Sequence, residues 1–163
     1  ISEFFDAHVT ICDAAGRLAA PLPDDLADPL FLSPDAGATE LAEAACESYG
    51  TGETDYFEKT RHSGTDVEIA PSDADTEGRD VVIVDDIVAT GTTMSEAVSH
   101  LDDDGAARVF AACVHPLLAQ NARTKLERAG IERVIGTDTI ERDVSVVSVA
   151  PLVAAAVDAV EAA

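Results

Sequence analysis

Short apolar runs alternate along this chain with amphipathic stretches, and that alternation restricts the fold more than any other feature. "PLFLSPD" is followed by "ATELAEAACESYG", "DVVIVDD" by "TTMSEAVSHLDDDG", "ARVFAACVH" by "LAQNARTKLERAG", and the pair "IERVIGTD" and "VSVVSVA" by "PLVAAAVDAVEA". A run that is apolar at nearly every position has no face to offer water. Each therefore reads as a strand covered on both sides, and each following stretch as a covering helix. Gly50, Gly105 and Gly130 follow the helical stretches where a left-handed cap is wanted, and Pro151 sits in a first turn that tolerates proline. The pattern implies an α/β fold, a mostly parallel twisted sheet flanked by helices with right-handed crossovers. Residues 54–70, "TDYFEKTRHSGTDVEIA", break the alternation with two strand-like pieces around a polar, turn-rich segment, and read as a hairpin or flexible excursion.

With 163 residues, 47% of them hydrophobic, the chain can fill the core of one domain. Residues 27–163 read as that domain, and residues 1–26 as an irregular lead-in whose only apolar cluster is "SEFFDAHV". The formal charge of -22 arises from 32 acidic against 10 basic residues spread along the chain. Such a surface repels itself unless salt screens it, which points to a halophilic source and argues against a nucleic-acid partner. Cys12, Cys46 and Cys113 are odd in number and lack any C-x-x-C or zinc spacing, so they read as reduced, buried thiols. No apolar run approaches the ~20 residues of a membrane helix, and no secretion signal opens the chain. A cytoplasmic protein with no membrane partner is expected.

"VVIVDDIVATGTT", residues 81–93, is the stretch with chemistry in it. In a sheet of this kind ligands lie beyond the carboxyl ends of strands, where Asp85, Asp86 and the loop Ala89-Thr90-Gly91-Thr92-Thr93 would fall, ahead of a helix from about Met94. Small residues let backbone N–H groups converge on an anion, the helix dipole favours it, and threonine hydroxyls add donors. A phosphate suits such a loop. A carboxylate beside a phosphate is repulsive unless it accepts hydrogen bonds, so the paired acids suggest the diol of a ribose. Neither G-x-x-x-x-G-K-[ST] nor G-x-G-x-x-G occurs, and a phosphorylated pentose fits better than a nucleotide tail. The same residues could also serve as a strand end with a capping aspartate and a polar turn.

The stretch resembles the phosphoribosyl-diphosphate signature of the type I phosphoribosyltransferase fold. Together with "LSPDAGATELA", "DYFEKTRHSGTDVEI", "AACVHPLL" and "VIGTDTIERDVSVVSVAPLVAAAV", it makes residues 28–160 similar to the carboxy-terminal half of the archaeal ribose-phosphate diphosphokinases. That resemblance implies transfer of the diphosphoryl group of ATP to the 1-hydroxyl of ribose 5-phosphate with Mg²⁺, releasing AMP. It also implies a homo-oligomer. It assigns the ribose 5-phosphate site to Asp85, Asp86, Ala89, Thr90, Gly91, Thr92 and Thr93, with Arg61 touching the same substrate. Lys59 and Arg61 become catalytic cations of a flexible loop, and Asp35 a magnesium ligand; an N-cap role for Asp35 could coexist with that one.

Several departures from the family stand beside these assignments. Ala89 takes the place of an acid and Thr92 that of a glycine in the commonest loop, which puts in question a left-handed backbone at Thr92. His115 and Asp138 close later strands, where they could approach a ligand, but a histidine at a strand end reads first as a structural group. The family's preceding domain, which supplies a magnesium-binding histidine and much of the ATP site, partly across a subunit contact, is expected to be missing here. Residues 1–20 resemble its last stretch, so the chain is expected to be a carboxy-terminal portion. A true phosphoribosyltransferase and a non-catalytic regulatory subunit are the competing readings.

Overall fold

A computed structural model describes residues 9–61, 67–71 and 74–162, with the backbone alone for 59–61 and 67–70. The elements are β1 (Leu30–Ser33), α1 (Thr39–Tyr49), β2 (Glu53–Arg61), β3 (Val67–Pro71), β4 (Asp80–Ile87), α2 (Thr92–Asp103), β5 (Arg108–His115), α3 (Ala122–Ala129), β6 (Arg133–Thr137), β7 (Ser145–Val147) and α4 (Ala150–Glu161). They build a seven-stranded sheet in the order β3-β2-β1-β4-β5-β6-β7. All neighbours run parallel except β2 and β3, which form the antiparallel hairpin expected near residues 54–70. The strand in the middle is β4, with Ile83 level with Ala111 of β5 and with Leu32 of β1.

The two-residue period of the strands sorts the core into two layers. Leu30, Leu32, Val81, Ile83, Val109, Ala111 and Cys113 face α2 and α3, where Met94, Ala97, Val98, Leu101 and Leu126 meet them. Phe31, Val82, Val84, Phe110, Ala112 and Ile135 face the other way, toward Ala42 and Ala45 of α1. Each fully buried side chain of this size contributes about 1.5–3 kcal/mol.

The second layer extends ahead of residue 27. Leu18, Leu22 and Leu26 are buried in the same cluster as Phe31, and a 3-10 turn spans Ala15–Ala19. A short helix such as α1 cannot cover that face alone, and the irregular segment before β1 completes the layer. Its apolar residues follow no helical or strand period, which is why they read as a lead-in. Cys113 is buried and Cys46 partly so, whereas Cys12 is exposed, contrary to the expectation for all three thiols.

The amino-terminal edge of the sheet is held by charge. The buried Asp80 carboxylate accepts hydrogen bonds from the Ala27 N–H at 2.6 Å and from Arg108 Nε at 3.0 Å. Arg79, 8% exposed, donates to Glu53 at 2.8 Å and to the Asp28 carbonyl at 2.9 Å. The carboxyl ends of the strands thus stand over a braced base. The last helix, α4, has no buried residue, and Val153, Val157 and Val160 on it are about half exposed. Among the described residues no helix is long and apolar enough to cross a membrane.

Candidate functional site

At the carboxyl end of β4 the chain leaves the sheet and makes a tight loop into α2. Val88 and Gly91 of that loop are buried, while Thr90, Thr92 and Thr93 are exposed. Gly91 adopts φ 68°, the left-handed region that favours glycine, so the strained position falls on Gly91 and not on Thr92. A Cβ at Gly91 would also stand 3.3 Å from both the Ala122 carbonyl oxygen and Leu126 Cγ. Helix α2 begins at Thr92, two residues earlier than expected, because the Gly91 carbonyl already accepts the Ser95 N–H at 2.9 Å. The first amides of α2 have no partner within the helix, and Gly91, as its N-cap, offers no side chain to take them.

Those amides border a cavity of about 160 Å³ lined by Asp85, Ile87, Val88, Ala89, Thr90, Gly91, Thr92, Thr93 and Met94. It has the volume of about five waters, enough for a phosphate group. Thr90 and Thr92 hydroxyls lie 3.3 Å apart across its rim. A roomier concavity of about 700 Å³ opens at the other end of the sheet, but Glu43, Glu47, Glu53 and Asp55 line it, a poor surround for a polyphosphate.

The two aspartates differ once folded. Asp85 is half-buried and Asp86 exposed, and the Asp86 N–H donates to Asp85 Oδ1 at 2.8 Å. Burial, reinforced by the neighbouring Asp86, pushes the Asp85 carboxyl up to about 6, against the pull of the Asp86 and Ile87 amides. Beneath it, Cys113 is level with Asp85 in the register, and burial and then the Asp85 charge push its thiol up to about 12. A half-buried carboxylate on the wall of this cavity can accept further hydrogen bonds from a ligand's hydroxyls.

Asp35 lies just past β1, three residues beyond Leu32, which is level with Ile83, so it stands near the height of Asp86. Its Oδ1 accepts the Gly37 N–H at 2.8 Å and caps the short 3-10 turn Ala36–Ala38. The capping role anticipated from the sequence is therefore present, and the residue is exposed. Among the described residues no group of three or more His, Cys, Asp or Glu side chains is gathered for a metal. Lys59 and Arg61 stand on β2, opposite Ile69 and Val67 of β3. Since Ser33, the last residue of β1, is level with Tyr56, both residues project past the carboxyl edge of the sheet. Their side chains, and residues 62–66, lie outside the described part.

His115 and Asp138 are engaged in local structure. His115 Nδ1 is 2.8 Å from Thr139 Oγ1, and Asp138 accepts the Val149 N–H at 2.8 Å. Hydrogen bonds from Ser148 and from that amide hold the Asp138 carboxyl below its usual range. Lys125, by contrast, escaped the sequence reading and reaches the loop from α3, donating to Thr92 Oγ1 at 3.0 Å. Its signal was scarcity, for Lys59 and Lys125 are the only lysines in the chain.

The profile of the phosphoribosyl transferase domain matches residues 5–152. The chain belongs to that family. The match begins ahead of Leu18, in keeping with a core that includes the segment before β1. Within the family, the chain is 63% identical over 154 residues to the ribose-phosphate pyrophosphokinase of Halobacterium salinarum, covering 94% of this chain and 54% of that protein. It is 44% identical over 154 residues to the ribose-phosphate pyrophosphokinase of Methanothermobacter thermautotrophicus, with 94% and 53% covered. The crystal structure of phosphoribosylpyrophosphate synthetase from Mycobacterium smegmatis superposes with a TM-score of 0.75 at 30% identity, over 91% of this chain and 50% of that one. Glutamine phosphoribosylpyrophosphate amidotransferase from Bacillus subtilis, at a TM-score of 0.57 and 20% identity over 75% of this chain and 34% of that one, shares the fold alone. This domain spans about half the length of the pyrophosphokinases it matches. The resemblance drawn from "VVIVDDIVATGTT" and its companion segments agrees with these matches.

Proposed function

We propose that this domain carries the ribose 5-phosphate site and the catalytic hairpin of a ribose-phosphate diphosphokinase. The observation that carries the reading is one cavity bounded both by the N-terminal turn of α2 and by the Asp85 carboxylate. The 5-phosphate would take the loop amides and the Thr90, Thr92 and Thr93 hydroxyls, and the ribose diol would donate to Asp85, the aspartate that lines the cavity. The 1-hydroxyl is then left facing out of the sheet edge, on the side where β2 carries Lys59 and Arg61. Its oxygen bonds to the β-phosphorus of ATP, the bond from that phosphorus to the α–β bridging oxygen breaks, AMP departs, and the hydroxyl proton passes to solvent. Lys59 and Arg61 would neutralise the charge on the moving diphosphoryl group, and Arg61 would also bind ribose 5-phosphate.

Asp35 suits Mg²⁺ in the manner that ion prefers, with one protein carboxylate and the remaining positions left to waters and substrate phosphates. A magnesium ion held by Asp35 would add further neutralisation of the polyphosphate. The identity with the Halobacterium salinarum pyrophosphokinase supports the substrate pair ribose 5-phosphate and ATP, and fits a halophilic, cytoplasmic homo-oligomer.

Calorimetric titration with ribose 5-phosphate, ribose and a purine base separates the readings. Ribose 5-phosphate should bind without ATP, ribose far more weakly, and the base not at all; binding of the base in place of ribose 5-phosphate would favour a phosphoribosyltransferase. In the complete gene product, Lys59→Ala should lower AMP release about 10²–10³-fold while changing the ribose 5-phosphate KM much less. A Lys59→Ala enzyme within a few-fold of wild type would return the regulatory-subunit reading.

A further inference from the structure

The phosphate loop is gripped from behind by the segment that leads from β5 into α3. The Leu118 N–H donates to the Val88 carbonyl at 2.9 Å and the Ala119 N–H to the Ala89 carbonyl at 2.8 Å. Two non-glycine residues of this segment, Leu118 at φ 44° and Gln120 at φ 58°, occupy the left-handed region to make that approach. Ala122 and Leu126 then close on Gly91, where an added Cβ would stand 3.3 Å from each. Lys125 lies three residues after Ala122, on the side of α3 turned to the loop. Its ammonium donates to Thr92 Oγ1 at 3.0 Å and stands 3.5 Å from the Thr90 carbonyl oxygen. Among the described residues it makes no ion pair, although the chain has 32 acidic side chains to offer.

We propose that Lys125 is a positioning residue for the phosphate site, holding the Thr92 hydroxyl and the Thr90–Gly91 peptide with their donors turned into the cavity; this rests on the phosphate-site reading of the loop. A hydroxyl that accepts from an ammonium keeps its own proton for a ligand and becomes a stronger donor. A peptide carbonyl drawn toward a cation behind the loop points its N–H the opposite way, because C=O and N–H lie trans across one plane. Without the cation, the Thr90 carbonyl is free to turn toward the anion and repel it. The ammonium also adds a point charge to the site, the form in which lysine serves phosphates.

The test uses the complete gene product with ribose 5-phosphate and inorganic phosphate as calorimetric probes. Lys125→Gln should weaken both about tenfold, the factor that ~1.4 kcal/mol represents, raise the ribose 5-phosphate KM by a similar factor, and leave kcat within about twofold. Lys125→Arg should restore most of the affinity, and the melting temperature without ligand should hardly move in either variant. If the wild type binds and Lys125→Gln binds as tightly, the inference fails alone. A lysine that served only to hold the fold would instead lower the melting temperature and leave affinity and KM intact, which also overturns it. If the wild type binds neither probe, the phosphate-site reading falls, and this inference with it.

Discussion

Replacing Asp85 by asparagine should stabilise the apoprotein while damaging its affinity for the sugar. The folded carboxyl titrates at about 6 against 3.8 for an ordinary aspartate. At ~1.36 kcal/mol per pH unit that gap sets a ceiling of about 3 kcal/mol on the cost of keeping the ionised side chain in place. Asp85 is only half-buried, so solvent screening leaves about 1–1.5 kcal/mol. The sign follows from linkage. A raised folded pKa favours the folded state below 3.8, and that advantage is lost as pH climbs through 6. Asparagine keeps an oxygen for the Asp86 N–H, which Asp85 Oδ1 now accepts at 2.8 Å, and escapes the titration. Urea unfolding of wild type and Asp85→Asn should therefore show the variant ahead by about 1–1.5 kcal/mol near pH 8, with the gap narrowing to about half near pH 5. Ribose 5-phosphate affinity should move the other way, falling about tenfold or more in the variant and declining in the wild type below about pH 6 as Asp85 protonates. A variant no more stable than wild type near pH 8, or a lead that widens in acid, would refute the view of Asp85 as a desolvated carboxylate kept for a ligand.

Asp80 titrates in the opposite sense. Burial alone would raise its carboxyl, yet the hydrogen bonds from Arg108 and Ala27 and the Arg108 charge bring it below 3.8. Its stabilisation is thus present above that value and lost as pH falls. Asp80→Ala should cost roughly 2–4 kcal/mol in urea unfolding near neutral pH by removing the buried acceptor of both Arg108 and the Ala27 N–H and leaving only the exposed Asp25 beside Arg108, and a loss under about 1 kcal/mol would mean that Asp80 is not holding the sheet's base. Salt is a second lever, since the formal charge is -22. The melting temperature should climb from ionic strength below roughly 0.1 M to molar salt, and a flat profile would remove the halophilic reading.

Much of this protein is written locally. Residues 81–84, apolar throughout, must lie where both faces are covered, and a strand so placed has to be central, as β4 is. The small residues after Asp86 confine the backbone to a turn followed by a helix, so the loop could be located from types and spacing alone. The polar interruption at 54–70 likewise announced the β2–β3 hairpin. Other features depend on residues brought together from afar. The apolar residues of 15–26 have no period of their own, and their burial is decided by the bare half of a sheet face beside α1. Asp85 and Asp86 are equivalent as letters, yet the strand's two-residue alternation turns them to opposite faces, and packing leaves one half-buried and the other exposed. Lys125 is 33 residues from Thr92 along the chain. Only the parallel pairing of β4 with β5, which lays α3 beside α2, carries its ammonium to the loop, because parallel strands fix where the helices after them begin.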